Sequence, residues 1–539
     1  MTALRAVACG LVAGMLVSLY RQGIDAGTRV ARWAYAWIGV HPAWGLLWGA
    51  VVVLAALLVA MLVRFEPMAG GSGIPQVEGV VLRGMRMRWW SVLLVRYVGG
   101  LLCGMFGLSL GREGPSIQIG AASSQAVGKG MRRQGIEANY LVTAGAAAGL
   151  SAAFNAPLSG MMFALEEVHR SFSPMILLSA TAASLSADFV SKYWFGLTPV
   201  LNFTRMPQLS LTEYLWMIPL GMVAGLVGSA MNRMLLGFQT LYSHLHPVVR
   251  PLIALALALP VGLWLPMALG GGEELIGFAE KATSGVALLA VLLIVKMVFT
   301  STSFGSGVPG GIFMPILAAG TLAGSISGIL ATHAGVPASH IPVFAVCAMA
   351  GALAASVKAP VTSILLTVEM SGTLVHMLPV TACAFIALMV SDLLGVRPVY
   401  TALLDRYLAS HPDSGAAGDG GAADARATRG NVIMEFPVEA GSRAAGARIG
   451  EVDWPSPAAV VDVRRGDDEV VPSRDVVLTP GDYVLVMFPV SRLVPMRAGI
   501  RALCSPDARN DGAPGADGAS TSGSDDASPQ ENVRSGGAR

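Results

Sequence analysis

Three short segments place polar or charged side chains inside apolar sequence. They read GSGIP at 71–75, GREGP at 111–115 and GSGVPGGIFMP at 305–315. In each segment, glycines allow unusual backbone angles and a proline suits the first turn of a helix. The unpaired N–H groups of a helix start carry partial positive charge, so each segment predicts an anion-binding helix N-terminus. Three such starts that converge would hold an anion without a full positive charge.

Glu113 lies in the second segment, where an ionised carboxylate is costly. An acid inside a membrane segment is by default a functional candidate. An ionised carboxylate among helix starts competes with an anion, and a protonated one can leave and admit it. One such group could therefore couple proton uptake to anion movement. The structural alternative is an ion pair between Glu113 and the adjacent Arg112.

The elements around these segments are those of a membrane protein. The mean hydropathy of the chain is +0.61, and 13% of its residues are charged, against about 25% in soluble domains. Several apolar runs can cross a hydrocarbon core of about 30 Å, whereas those at 111–130 and 305–325 are broken by glycine and proline. Broken helices at membrane depth must be packed in protein or line a cavity, which indicates a transport site. The N-terminal run predicts a membrane helix, because Arg21 follows it instead of a signal-peptide cleavage site.

Charge and composition disfavour several other classes of protein. The formal net charge is +2, so no nucleic-acid partner is expected. The cysteines form no CxxC pair, and His244 and His246 lack a third ligand, so neither a metal nor another cofactor is expected. The scattered histidines supply no nucleophile–base–acid set, so we do not expect an enzyme.

The sequence changes character after residue 410. Residues 411–430 are a polar linker rich in glycine, alanine and aspartate. Residues 431–504 contain short β-type runs between turn residues, which predict a small soluble α+β domain. Residues 505–539 have few large apolar side chains and are expected to be disordered. Residues 1–410 form the predicted transmembrane domain.

In this order and at this spacing, the three segments resemble the anion-pathway segments of the CLC family of chloride channels and chloride/proton exchangers. The resemblance covers the membrane body and extends to AGAAAGLSAAFNAPLSGMMFALEE at 144–167 and VRPVYTALLDRYL at 396–408. It implies an all-α polytopic membrane fold with a CLC-like inverted repeat of broken helices, in which GREGP pairs with GGIFMP. It also implies a homodimer in the lipid of the cell inner (plasma) membrane, with one pathway in each subunit.

The resemblance assigns chloride-binding roles residue by residue. Ser72 and Tyr400 match the two hydroxyls that coordinate chloride, and Ile312 and Phe313 match the residues that donate backbone N–H groups. A tyrosine at a membrane edge can also serve as an interfacial anchor. The other pathway residues implied by the motifs are Gly71, Gly73, Pro75, Gly111, Arg112, Gly114, Pro115, Gly310 and Gly311.

The resemblance also assigns the proton-carrying acids. Glu113 matches the gating glutamate, and Glu167, with weaker help from Glu166, matches the acids that receive protons from the cytoplasm. Without the resemblance, the glutamate pair would be an interfacial charge cluster. Channel members usually carry an apolar residue at the position of Glu167. The sequence therefore favours a chloride/proton antiporter, and a passive voltage- or pH-gated chloride channel of the same fold is the alternative.

Residues 432–503 resemble the TrkA-C (RCK-C) domain of potassium-transport regulators, through DWP, VRRG and TPGDYVLV. By itself this domain would suggest a potassium-transport protein, but the chain has no carbonyl-lined filter such as TVGYG. We expect the domain to be cytoplasmic. Sensing of an unknown small ligand and a bare dimerisation or stabilising role both stay open for it.

Overall fold

The computed structural model describes residues 2–133, 135–196, 201, 203, 206–281, 284–372, 374–411, 431–466, 468–489 and 492–506. The chain divides into two compact units, Met1–Gly430 and Asn431–Arg539, each described by itself. Beyond residue 411, the predicted linker lies outside the described residues, as does the predicted tail beyond residue 506.

The described part of the first unit is helical. Its α-helices are α1 (Thr2–Val40), α2 (Trp44–Phe65), α3 (Ile74–Arg83), α4 (Trp89–Met105), α5 (Glu113–Gly130), α6 (Ile136–Phe154), α7 (Pro157–Phe163), α8 (Pro174–Phe195), α9 (Met217–Ser243), α10 (Val249–Trp264), α11 (Glu273–Glu280), α12 (Val286–Gly305), α13 (Phe313–Thr332), α14 (Ile341–Val357), α15 (Pro360–Ser371), α16 (Met377–Leu393) and α17 (Val399–Ser410). A π-helical turn, Ala164–His169, continues α7. Within the described ranges, seven helical stretches are long and apolar enough to cross a membrane, which agrees with the predicted polytopic body.

Two series of helices follow the same order along the chain, α4 to α8 and α12 to α16. In each series a long apolar helix ends, the chain breaks at a glycine-rich segment, and a new helix begins at Glu113 or at Phe313. The two breaks touch at Gly111 and Gly311, which form an antiparallel bridge. The bridge consists of two backbone hydrogen bonds, of 2.8 and 2.7 Å. GREGP and GGIFMP therefore occupy corresponding positions in the two series, as the predicted repeat requires, and they are also in contact.

Glycines allow α5 and α6 to pack with their backbones in contact. A Cβ atom added to Gly149 would lie 2.9 Å from Cα of Ile117 and would collide with the carbonyl of Ser116. A Cβ atom added to Gly120 would lie 3.0 Å from backbone atoms of Gly149. In lipid, helix association depends on such close packing, because the hydrophobic effect between helices is absent.

Gly149→Leu should destabilise the membrane unit, because the new side chain has no space between α5 and α6. Overpacking typically costs about 1–3 kcal/mol, and the clash here is with backbone. Gly237→Leu is the matched control, since a Cβ atom there meets nothing within 4 Å. Unfolding of purified protein in detergent measures both variants. Equal stability of the two would contradict the packing described.

The second unit is an antiparallel sheet followed by a helix. The strands β1 (Asn431–Pro437), β2 (Ala459–Arg465), β3 (Asp468–Val470) and β4 (Tyr483–Pro489) stand in the order β1-β4-β2-β3, and α18 (Leu493–Cys504) follows. The two-residue alternation along β4 buries Val484, Val486 and Phe488 in a core that also contains Ile500 of α18. The predicted small α+β domain is thus observed.

Asp482 fixes the turn before β4. Its carboxylate accepts hydrogen bonds of 2.9 and 2.7 Å from Arg465 and one of 2.8 Å from the N–H of Thr479. The side chain is 1% exposed. The Arg465 guanidinium, assisted by the Thr479 donors and opposed by burial, lowers the pKa of Asp482 below its ordinary value.

The Asp482 carboxylate should make this unit acid-sensitive. A carboxyl group with a lowered folded pKa binds fewer protons folded than unfolded, so its stabilisation is complete above the unfolded pKa of about 4 and is lost as the pH falls through the lower folded value. Asp482→Asn should cost about 2 kcal/mol at neutral pH and remove this part of the acid dependence. Asp475→Asn, at an 87% exposed side chain, is the control. Hydrogen exchange of the β4 amides in the full chain, corrected for intrinsic rates, measures the effect. An unchanged acid dependence in Asp482→Asn would contradict it.

Candidate anion-binding site

The three glycine-framed segments meet at one point. The N–H of Gly71 donates to the carbonyl of Gly307 at 3.2 Å, and the carbonyl of Gly71 accepts from the N–H of Gly310 at 3.0 Å. These bonds join the first segment to the third, and the Gly111–Gly311 bridge joins the second to the third. Gly71 has φ of +63°, a region that glycine enters without steric cost. The expected convergence of the segments is therefore found.

Three helices begin around this point. α5 begins at Glu113 with Pro115 in its first turn, α13 begins at Phe313, and α3 begins at Ile74, two residues after Ser72. The first N–H groups of each helix have no acceptor within that helix. Their partial positive charge makes the neighbourhood favourable for an anion.

Three buried polar atoms of this site have no hydrogen-bond partner among the described residues. They are Oγ of Ser72, the hydroxyl of Tyr400 and Oε2 of Glu113, in residues that are 2%, 0% and 1% exposed. A Cβ atom added to Gly114 would lie 2.7 Å from Oγ of Ser72, so this hydroxyl borders the start of α5. The Tyr400 hydroxyl lies beside the Ser72 side chain. Because buried polar atoms are nearly always satisfied, the three atoms indicate room for a ligand, and the two hydroxyls can donate hydrogen bonds to an anion.

Aromatic packing holds Tyr400 in place. The rings of Phe313 and Tyr400 are stacked, with centroids 6.2 Å apart. Phe163 packs edge-on against Phe313 at 5.8 Å. Ile312, which directly precedes Phe313, is also buried. The predicted chloride-binding residues Ile312, Phe313 and Tyr400 therefore lie close together.

Arg112 is not the ion-pair partner of Glu113. Its guanidinium pairs with Asp25 at 2.7 Å and with Glu273, whereas Oε2 of Glu113 is left without a partner. A cavity of about 250 Å³ opens beside both Arg112 and Glu113 and is also lined by Asp25, Glu273 and Arg32. The alternative of an ion pair between Arg112 and Glu113 is therefore wrong, and Arg112 instead lines this charged cavity.

Glu166 caps a helix of the other repeat. Its carboxylate accepts from the N–H groups of Val361 and Thr362, at 3.2 and 2.8 Å, at the start of α15. Glu369, at the end of α15, in turn accepts from the N–H groups of Leu158 and Ser159, at 3.0 and 2.8 Å, at the start of α7. The two short helices thus cap each other, and the structure gives Glu166 a structural task that the sequence did not reveal.

Glu167, the next residue, lies on the π-helical turn and is buried. Its Oε1 lies 3.3 Å from Nη2 of Arg170, and that guanidinium also contacts Glu78 at 2.9 Å. Arg170 also donates to Oγ1 of Thr401, the neighbour of Tyr400, at 2.7 Å. Glu167 therefore lies near the start of α17, the helix that carries Tyr400.

Comparison with known proteins identifies the membrane body. A family model described as voltage gated chloride channel matches residues 53–392. The chain belongs to the CLC family. A TrkA-C domain model matches residues 433–493. Both resemblances drawn from the sequence are confirmed.

Individual CLC relatives cover most of the chain. The chain is 35% identical to an H(+)/Cl(-) exchange transporter ClcA of Klebsiella pneumoniae subsp. pneumoniae over 428 residues, which is 76% of this chain and 90% of that protein. It is 37% identical to a ClcA of Citrobacter koseri over 388 residues, 69% of this chain and 82% of that protein. A crystal structure of a slow cyanobacterial Cl-/H+ antiporter matches with a TM-score of 0.70 at 29% identity, covering 76% of this chain and 99% of that one. The CLC fold predicted from the sequence is confirmed.

Arg96 is a feature of this CLC site that the sequence reasoning missed. It is fully buried in α4 and donates to the carbonyl of Gly71 and to Oε1 of Gln118, both at 2.6 Å. The loop that carries Ser72 is therefore held by a full positive charge, which adds to the partial positive charges of the helix starts. The available signal was a lone arginine inside the apolar run WWSVLLVRYVGGLLC, since charges within membrane helices are rare and functional.

Tyr400→Phe should leave the stability of the protein nearly unchanged in chloride-free buffer, because the lost hydroxyl has no partner among the described residues. Tyr35→Phe is the matched control. Its hydroxyl donates to the carbonyl of Phe106 at 2.8 Å, so the variant should lose about 1 kcal/mol of unfolding free energy. Thermal unfolding in detergent compares the two. A loss in Tyr400→Phe as large as that in Tyr35→Phe would mean that its hydroxyl is satisfied within the protein.

Proposed function

We propose that this protein is a chloride/proton antiporter, which moves chloride across the membrane coupled to counter-transport of protons. The observation that carries the proposal is the set of unpartnered polar atoms of Ser72, Tyr400 and Glu113 at the meeting point of the helix starts. The hydroxyls of Ser72 and Tyr400 would donate to a dehydrated chloride, together with the backbone N–H groups of Ile312 and Phe313. Uncharged donors bind an ion weakly enough for it to leave again.

Glu113 would act as the gate. Its carboxylate occupies the start of α5 and lies near the backbone N–H of Met314 at the start of α13, which is a place that an anion favours. When ionised, the carboxylate would compete with chloride for these donors. When protonated, it would lose its attraction to the helix starts and could turn into the cavity of about 250 Å³ beside it. Proton uptake and chloride entry would then depend on the same group.

Glu167 would exchange protons with the cytoplasmic solution, with Tyr400 between it and Glu113. The capping bonds of Glu166 suit it to holding the π-helical turn, so any help it gives in proton transfer would be indirect. The names of the ClcA relatives, exchange transporters, support this function over the passive channel. We propose no enzymatic reaction.

The arrangement of the whole protein completes the proposal. We propose a homodimer in the cell inner membrane, with the TrkA-C unit on the cytoplasmic side. We also propose the division into a membrane domain at 1–410, a linker at 411–430, a TrkA-C domain at 431–504 and a tail at 505–539. Binding of a small ligand by the TrkA-C domain would make it a regulator of transport; otherwise it serves dimerisation or stability.

Purified protein in liposomes tests the function. With a chloride gradient and no proton gradient, we expect protons to move uphill against the chloride flow. Glu113→Gln should keep anion flux and reduce coupled proton movement by about a hundredfold, as expected when a proton-transfer group is lost. Chloride flux without proton movement in the wild type would favour the channel.

Glu369→Gln is the control for the loss of a half-buried carboxylate in the membrane unit. Its oxygens cap α7, so the variant should lose stability while the ratio of protons to chloride stays that of the wild type. If coupling survives in Glu113→Gln, another group is the gate, although the exchange function itself still stands.

A further inference from the structure

Arg170 occupies an unusual position beside the proton-carrying acids. It directly follows the π-helical turn Ala164–His169 and has φ of +52°, which is uncommon for a residue other than glycine. π-helical turns are often found at functional sites. The side chain is 31% exposed, so it lies between the solvent and the buried acids.

One nitrogen of Arg170 serves three oxygen atoms. Nη2 lies 2.7 Å from Oγ1 of Thr401, 2.9 Å from Oε1 of Glu78 and 3.3 Å from Oε1 of Glu167. A guanidinium Nη2 carries two hydrogens, which donate to Thr401 and Glu167, and its contact with Glu78 is an ion pair. The hydrogen bond to Glu167 is the longer of the two and therefore the one that yields most readily.

The three oxygen atoms come from three different parts of the site. Glu78 lies on α3, the helix that begins just after Ser72, and Thr401 is the neighbour of Tyr400 on α17. Glu167 is the proposed proton acceptor. The second oxygen of Glu78 has no partner among the described residues, so Arg170 is the main compensation for that buried charge.

We propose that Arg170 is a positioning residue for proton transfer, which shares its guanidinium between Glu167 and the two elements that carry the chloride-coordinating hydroxyls. With Glu167 ionised, Nη2 is divided among the three oxygens. When Glu167 is protonated, Nη2 of Arg170 interacts more strongly with Glu78 and Thr401. This draws α3 and α17 closer together around Ser72 and Tyr400. The inference rests on the proposed exchange function.

The charges around this group set the direction of the effect. A nearby cation favours the ionised form of a carboxyl group, so without Arg170 Glu167 would hold its proton up to a higher pH. The other titratable or charged groups near the cluster are Glu78 and Arg83 on α3, Glu166 on the π-helical turn, and Tyr400 and Asp405 on α17. His169, which precedes Arg170, packs against Tyr140 of α6.

Proton and chloride fluxes in liposomes, measured separately while the pH on the Glu167 side is varied, test the role of Arg170. Arg170→Gln should lower the number of protons moved per chloride and shift the pH profile of proton movement upward by about one unit. The matched control is Arg233→Gln, because that guanidinium donates to the carbonyl of Leu394 in an exposed position. The control should keep the wild-type ratio and profile.

Two further variants separate positioning from stability. Arg170→Lys keeps the charge without the planar geometry and should restore the pH profile more fully than the ratio of protons to chloride. The double variant Arg170→Gln with Glu78→Gln removes the uncompensated buried charge, so it should fold, and we expect its coupling to stay impaired. Wild-type coupling in the double variant would mean that Arg170 only neutralises Glu78, which overturns the inference.

The outcomes also distinguish this inference from the function on which it rests. If the wild type moves chloride without protons, the proposed exchange fails whatever the Arg170 variants do. If the wild type exchanges and Arg170→Gln matches Arg233→Gln in both ratio and profile, the exchange stands and the role of Arg170 is overturned.

Discussion

The requirement that every backbone polar group inside a membrane find a partner governs the centre of this protein. Two helices break off there, and their loose ends satisfy each other through the Gly111–Gly311 bridge. Without that pair, the breaks would expose N–H and C=O groups to hydrocarbon, at a cost of several kcal/mol for each group. Once the breaks are stable, the unpaired first turns of α5 and α13 are held at a fixed place. The candidate anion site is therefore a consequence of how the fold satisfies its own backbone hydrogen bonds.

The need of helix starts for acceptors and negative charge also explains where several of the acids lie. Glu113 lies where helix starts attract negative charge, and Glu166 and Glu369 lie where short helices need acceptors for their first N–H groups. Glu167, on the π-helical turn, has no capping bond to a helix start within the described part of the chain, and it pairs instead with a shared guanidinium. The neighbouring glutamates Glu166 and Glu167 therefore differ in their contacts, because only Glu166 accepts hydrogen bonds from the backbone of a helix start.

Local sequence was sufficient to predict the helical membrane body, the broken segments and the small α+β domain. Glycines, prolines and apolar runs act within a few residues, so their consequences can be read directly. The residues Ser72, Glu113 and Tyr400 came from motifs, and the structure brings them together. Contacts between distant segments were not predictable in this way. The pairing of Arg112 with Asp25, the support of Gly71 by Arg96 and the cap formed by Glu166 each join segments whose separation carries no periodic signal.

The mutual capping of α7 and α15 has a consequence for how the protein is made. Among the described residues, Glu369, near the end of the second repeat, is the acceptor for the N–H groups of Leu158 and Ser159 at the start of α7. While only the first repeat has been synthesised, α7 therefore lacks the acceptor for its first N–H groups. Each repeat supplies the carboxylate that caps a short helix of the other repeat. Assembly of the transport site is thereby tied to synthesis of nearly the whole membrane body.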